Sequence, residues 1–242
     1  MGRASALLSR RTAAFVALGA AVGAYYVWSD ALPDVSTWTD VALLAFPIMP
    51  AVLGLLLIAL PLRTWRGLLP AAVLLVLAAY GCQQAGWDLA GNFAKLWAAT
   101  FFGWWFLTLF EAVSWVVIVA CLIPLVDAIS VWRGPTHTIT TKHEHVYTSI
   151  SIAFPAPHEG AARLGPPDVL FFALFLGAAD RFGLRVVWTW ILMTLSFGVT
   201  VVLANAFDVS GLPALPLLSA GFLLANADLL WKRWRERPRP AA

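Results

Sequence analysis

Charge is scarce in this chain, and cysteine is nearly absent. Only 12% of its 242 residues are Asp, Glu, Lys or Arg, against about 25% in an ordinary soluble domain. So few charges cannot cover a globular surface, which excludes a water-soluble domain of the usual kind and leaves lipid as the solvent for most of the chain. Cys82 and Cys121 are the only cysteines, and both fall within apolar runs. That excludes a disulfide framework and a cysteine zinc site. There is no internal repeat and no low-complexity tract. A cleavage pattern of small residues is also missing after the first apolar run, in Tyr25-Tyr26-Val27-Trp28-Ser29-Asp30, so that run reads as an uncleaved first span.

What the chain has in quantity is hydrophobic sequence, 61% of residues. A membrane-spanning helix needs roughly 17–25 apolar residues. Eight runs qualify, at 13–29, 41–61, 68–86, 93–110, 112–132, 166–180, 186–206 and 212–231. The stretch 93–132 is too long for one span at about 1.5 Å per residue, and Glu111, the only charge near its middle, marks the break. The reading is an all-α polytopic membrane protein.

The basic residues give its orientation. With the N-terminus inside, Arg3, Arg10, Arg11, Arg63, Arg66, Arg181, Arg185, Lys232, Arg233, Arg235, Arg237 and Arg239 fall inside, and Lys95, Arg133, Lys142 and Arg163 fall outside. This bias follows the positive-inside rule and puts both termini in the cytoplasm of a bacterial-type plasma membrane. Trp28, Trp65, Trp87, Trp132 and Trp231 lie near span ends, as an aromatic belt does. The basic tail is thus a topology signal, and no nucleic-acid partner is implied.

The segment Arg133–Gly165 differs from the other links. It is polar, and Val146, Thr148, Ile150, Ile152 and Phe154 alternate with Tyr147, Ser149, Ser151 and Ala153. That period of two predicts a strand over 146–154, with 136–141 as its hairpin partner. Pro155, Pro157, Pro166 and Pro167 then stop regular structure. The segment also holds His137, His143, His145 and His158. His143 and His145 share a strand face and have the chemistry of metal ligands, but solvated loop histidines are the plainer reading. No metal and no cofactor is implied.

Ionisable groups at membrane depth are costly and point to function. Asp127 lies near the C-terminal end of the fifth run, with no cation beside it, and Asp168 opens the sixth. One loop joins those two ends, so both carboxylates lie toward the same membrane face whichever way the chain inserts. Two close carboxylates do not both ionise easily and share a proton. One then takes a proton from water while the other donates a hydrogen bond to a carbonyl, which is the chemistry of peptide hydrolysis. By the same parity Leu212-Pro213-Ala214-Leu215-Pro216, at the start of the last run, lies on that face. Its prolines free backbone groups from helical pairing. Each feature also has a plain structural reading, as a polar contact between helices or as a helix start.

These residues, taken in order, resemble the presenilin and signal peptide peptidase family of intramembrane aspartyl proteases. The family carries Tyr-Asp in one span, Gly-x-Gly-Asp in the next and Pro-Ala-Leu in the last. Here Val126-Asp127 stands at the first motif, Gly165-Pro166-Pro167-Asp168 at the second and Pro213-Ala214-Leu215 at the third, and Gly134-Pro135 resembles the Gly-Pro that follows the first aspartate. The likeness covers about 111–231. It divides the chain into scaffold spans over 1–110 and a presenilin-like catalytic half over 111–242. Val126 replaces the usual Tyr and Pro167 the second Gly, and the family usually has nine spans. The resemblance implies that Asp127 and Asp168 are the catalytic pair. It implies that Gly165, Pro167, Pro213, Ala214 and Leu215 shape the site, and that the substrate is a transmembrane helix in the lipid. Such a helix must unwind before a peptide bond is exposed, and the 146–154 strand is a candidate to hold it by β-augmentation. Two other functions stay open: a silent relative that binds membrane helices without cutting, and a proton-coupled transporter using the aspartates as a relay.

Overall fold

The computed structural model describes residues 2–33, 36–133, 149–155, 161–207 and 212–236. Gly134-Pro135, the expected strand 136–141, all four histidines and Asp208 lie outside the described residues. The described residues form eight helical rods and one small sheet. The rods are α1 Gly2–Trp28, α2 Thr37–Thr64, α3 Leu68–Gln84, α4 Asp88–Leu107, α5 Val113–Arg133, α6 Pro166–Arg181, α7 Val186–Ala206 and α8 Leu215–Arg235. Each of the eight apolar runs coincides with one rod. The break expected at Glu111 falls at 108–112, where the chain leaves α4 and enters α5. Three rods are long and apolar enough to cross a membrane, Thr37–Thr64, Val113–Ser130 and Val186–Ala206, and Leu68–Gln84 is a shorter apolar helix.

Proline shapes α2 from within. Pro47 sits in a π-helical turn over Leu44–Ile48, and Pro50 follows at once. Neither has an N–H for the helical ladder, and a wider turn is how a helix absorbs that loss without breaking.

The core is built around α6. Val169, Phe172, Ala173, Leu174, Phe175, Leu176, Ala178 and Ala179 are all fully buried. Burial around almost its whole circumference makes it the central helix. Phe172 stacks on Phe197 of α7 and Phe175 on Phe222 of α8, with centroids 5.9 and 4.8 Å apart. On the other flank Gly103 of α4 lets two helix backbones meet, since a Cβ there would lie 2.4 Å from the Leu170 carbonyl oxygen. Between α7 and α8, buried Asn226 accepts from the Arg185 N–H (2.9 Å) and donates to Thr189 Oγ1 (2.8 Å).

Most of the described basic residues gather at one end of the bundle, while Lys95 and Arg163 lie at the other, with the sheet. Arg63 pairs with Asp180, Arg185 forks onto Asp228 at 2.7 and 2.6 Å, and Arg181 donates to the Leu107 carbonyl at 2.6 Å. Asp127, Asp168 and the sheet lie at the opposite end.

The sheet corrects the sequence reading. Strand β1 is Ile152–Pro155, and its antiparallel partner β2 is Ala161–Leu164, with Ile152 opposite Leu164 and Ala153 opposite Arg163. The strand is therefore shorter than 146–154, and Ser149 and Ile150 are in a helical turn. Regular structure also resumes after Pro155 and Pro157, where the prolines were expected to end it. Pairing with the segment just downstream closes a short loop, and short loops cost least conformational entropy.

Candidate active site

Asp168 is placed by the start of α6. Gly165 is the cap residue, Pro166 and Pro167 occupy the first helical positions, and Asp168 follows. Proline fits there because its missing N–H is one that a helix start leaves unpaired anyway. The Asp168 N–H donates to the Gly165 carbonyl (3.0 Å), and the Gly165 N–H donates back to Asp168 Oδ2 (2.9 Å). This is the return arm of a capping box. Gly165 has φ −67° and ψ 148°, which any residue adopts. Glycine is useful there for space, since a Cβ would sit 3.2 Å from Asp168 Oδ2.

Asp127 is placed by the last turns of α5, a helix held at the edge of the bundle against α8. Its neighbours Leu125, Val126 and Ile129 are 62%, 59% and 65% exposed, so this helix turns its apolar face outward. Asp127 itself is half-buried and turned inward. Its Oδ2 accepts the Leu215 N–H at 3.1 Å across 88 positions of sequence. Leu215 is the third residue of Pro213-Ala214-Leu215 and the first of α8. Its N–H is one of the unpaired donors of that helix start, and a carboxylate there also meets the positive end of the helix dipole. Ala214 and Leu215 are buried, and Pro213 is half-buried.

The Asp127 carboxylate lies within electrostatic reach of Asp168. The three sequence segments singled out, 126–127, 165–168 and 213–215, therefore converge. Asp168 is half-buried and Pro167 exposed. In the hydrogen bonds described, each aspartate engages only Oδ2.

Two features beside the pair escaped the sequence reading. The first is the tethering of β1. The Ala153 N–H donates to Asn92 Oδ1 (3.1 Å), its carbonyl accepts from the Tyr26 hydroxyl, and Lys95 Nζ donates to the Ser151 carbonyl (3.2 Å). Both polar groups of one strand residue point the same way, so the outer edge of β1 at Ala153 is taken by side chains of α1 and α4. The edge of β2 has no strand partner among the described residues, and β2 runs directly into Gly165. Asn92 and Lys95 were visible as polar residues at the mouth of an apolar run, but nothing local tied them to residues about 60 positions away.

The second is an apolar groove of about 820 Å³ between α3, α4 and the start of α6. Val73, Val76, Tyr80, Phe102, Ile150 and Pro167 line it. One end of its wall is the residue next to Asp168. Among the described residues no group of three or more His, Cys, Asp or Glu is placed to hold a metal ion.

No protein-family model matches this chain, and a comparison with curated proteins finds no match.

Proposed function

We propose that this chain is a multi-pass membrane protein of the presenilin type that hydrolyses peptide bonds within transmembrane helices, with Asp127 and Asp168 as its acid–base pair. The observation that carries the reading is the hydrogen bond from the Leu215 N–H to Asp127, made beside Asp168. The bond joins Asp127 to the Pro-Ala-Leu segment 88 positions away, and the same carboxylate is within electrostatic reach of Asp168.

The chemistry follows from that site. One carboxylate, ionised, takes a proton from water. The other, protonated, donates a hydrogen bond to the scissile carbonyl, and as the C–N bond breaks the first passes the proton it took from water to the leaving nitrogen, which restores the pair. Backbone donors hold Oδ2 of each aspartate, which leaves Oδ1 for water and substrate. Both carboxylates are half-buried, and partial removal from water strengthens these contacts. An apolar helix in the lipid lies along the groove of α3 and α4, and its unwound segment adds to the edge of β2, which leads straight to Asp168. The end of the bundle with the arginines faces the cytoplasm, with both termini there.

A silent helix-binding relative is the second reading. One observation favours it: each aspartate already serves a helix start, Asp168 its own and Asp127 that of α8. Reconstitution with a panel of single-span substrates decides between them. Cleavage that disappears in both Asp127→Asn and Asp168→Asn establishes the protease. No cleavage of any substrate by a folded wild-type protein overturns it.

A further inference from the structure

At the end of the bundle away from the aspartates, a second cleft of about 770 Å³ opens between α1, the end of α2 and the start of α7. Its walls are apolar: Ala14, Leu57, Ile58, Leu60, Val186 and Val187. Its mouth carries two adjacent cations, Arg10 and Arg11, both exposed. Asp180 also lines it, but its carboxylate is already taken by Arg63. Among the described residues neither Arg10 nor Arg11 has a hydrogen-bond or ion-pair partner. Among the described residues the cleft therefore presents two adjacent positive charges, without an ion-pair partner, at the rim of an apolar slot.

We infer that this cleft binds an anionic phospholipid, with Arg10 and Arg11 on the phosphate and an acyl chain along Leu57, Ile58 and Val187. The ligand class follows from the two halves of the site. Arginine matches phosphate in geometry and charge, and a phosphate group alone gains nothing from an apolar wall. Basic pockets between spans on the cytoplasmic side are where lipid headgroups are recognised. The volume suits a headgroup and the upper part of one chain. The inference rests on the membrane reading and is independent of the aspartate chemistry.

The test uses the full-length protein in detergent micelles, titrated separately with dioleoylphosphatidylglycerol, dioleoylphosphatidylcholine and inorganic phosphate. Native mass spectrometry counts bound lipid, and tryptophan fluorescence follows the melting temperature. Phosphatidylglycerol is expected to persist as a discrete adduct and to raise the melting temperature, while the other two probes do neither. Arg10→Gln/Arg11→Gln weakens that binding by roughly 30-fold, as two basic groups at an anionic surface should. Arg66→Gln/Arg235→Gln removes the same charge elsewhere at this end and leaves binding unchanged. Ala14→Trp, which fills the slot and keeps both arginines, also abolishes the adduct. Equal retention of phosphatidylcholine, an equal shift with inorganic phosphate, equal loss in the two double variants or no loss in the first overturns the inference. A protein that does not partition into membranes sinks the membrane reading with it. One that partitions but shows no preference for phosphatidylglycerol sinks this inference alone.

Discussion

Asparagine in place of Asp127 or Asp168 keeps the size of the side chain and an oxygen able to accept the Leu215 or Gly165 N–H. What it removes is the capacity to take up or release a proton. Each substitution is therefore expected to lower cleavage of a reconstituted substrate by about 100-fold or more, with the melting temperature nearly unchanged. A large drop in melting temperature together with retained cleavage would assign the aspartates to structure alone. Pro167 is the other informative residue. In the proposed presenilin-like reading it stands in place of a glycine, yet here it starts a helix, and the Asp168 carboxylate is held by Gly165. Pro167→Gly should cost up to about 1 kcal/mol of stability, mainly by freeing the unfolded chain. It should change turnover by less than roughly tenfold. A larger gain in activity would mean that the rigid start of α6 restrains the pair.

At the scale of elements, α6 is the helix on which everything else is aligned. Its contact with α4 depends on the absence of a side chain at Gly103, where a Cβ would collide with the Leu170 carbonyl oxygen. Because backbone cannot give way as a side-chain tip can, Gly103→Ala should destabilise by about 2–3 kcal/mol. The readout is a lower melting temperature in detergent, and an unchanged value would show that the two helices are packed more loosely than described. Leu170 belongs to the wall of the groove beside Asp168, so the same variant should weaken cleavage through substrate binding, raising KM more than it lowers kcat. By contrast α5, which carries Asp127, is held along one side only and exposes Leu125, Val126 and Ile129. In water such a face would be an association site; in lipid it costs nothing.

For the whole molecule, orientation is the property most open to test. Arg10, Arg11, Arg63, Arg181 and Arg185 collect at one end, with Asp180 and Asp228, and Asp127 and Asp168 lie at the other. Reporters fused at the C-terminus and inserted in the 134–148 segment should lie on opposite sides of the membrane, the first cytoplasmic. Reporters on the same side would remove one span from the count. Positions of the helical rods were legible in the sequence because an apolar run is a local property, and the eight runs fall on the eight rods. So was the break near Glu111, where a single charge interrupts a run too long for one crossing. The sheet was only half legible. Alternation announced a strand, but its bounds and its pairing with Ala161–Leu164 rest on a contact between two segments that the period of two does not specify.

The sequence by itself determined an apolar, helical chain with two aspartates and a Pro-Ala-Leu segment at matching ends of their runs. Position along each run is enough for that, because Asp127 closes the fifth run, Asp168 opens the sixth and Pro213-Ala214-Leu215 opens the eighth. Only the tertiary structure decided that Asp127 meets the Leu215 N–H beside Asp168, that Asn92 and Tyr26 close one edge of the sheet, and that an apolar groove ends at Pro167. Those contacts join helices distant along the chain, and their pairing is settled by how side chains fit around α6, a collective property that no local pattern encodes.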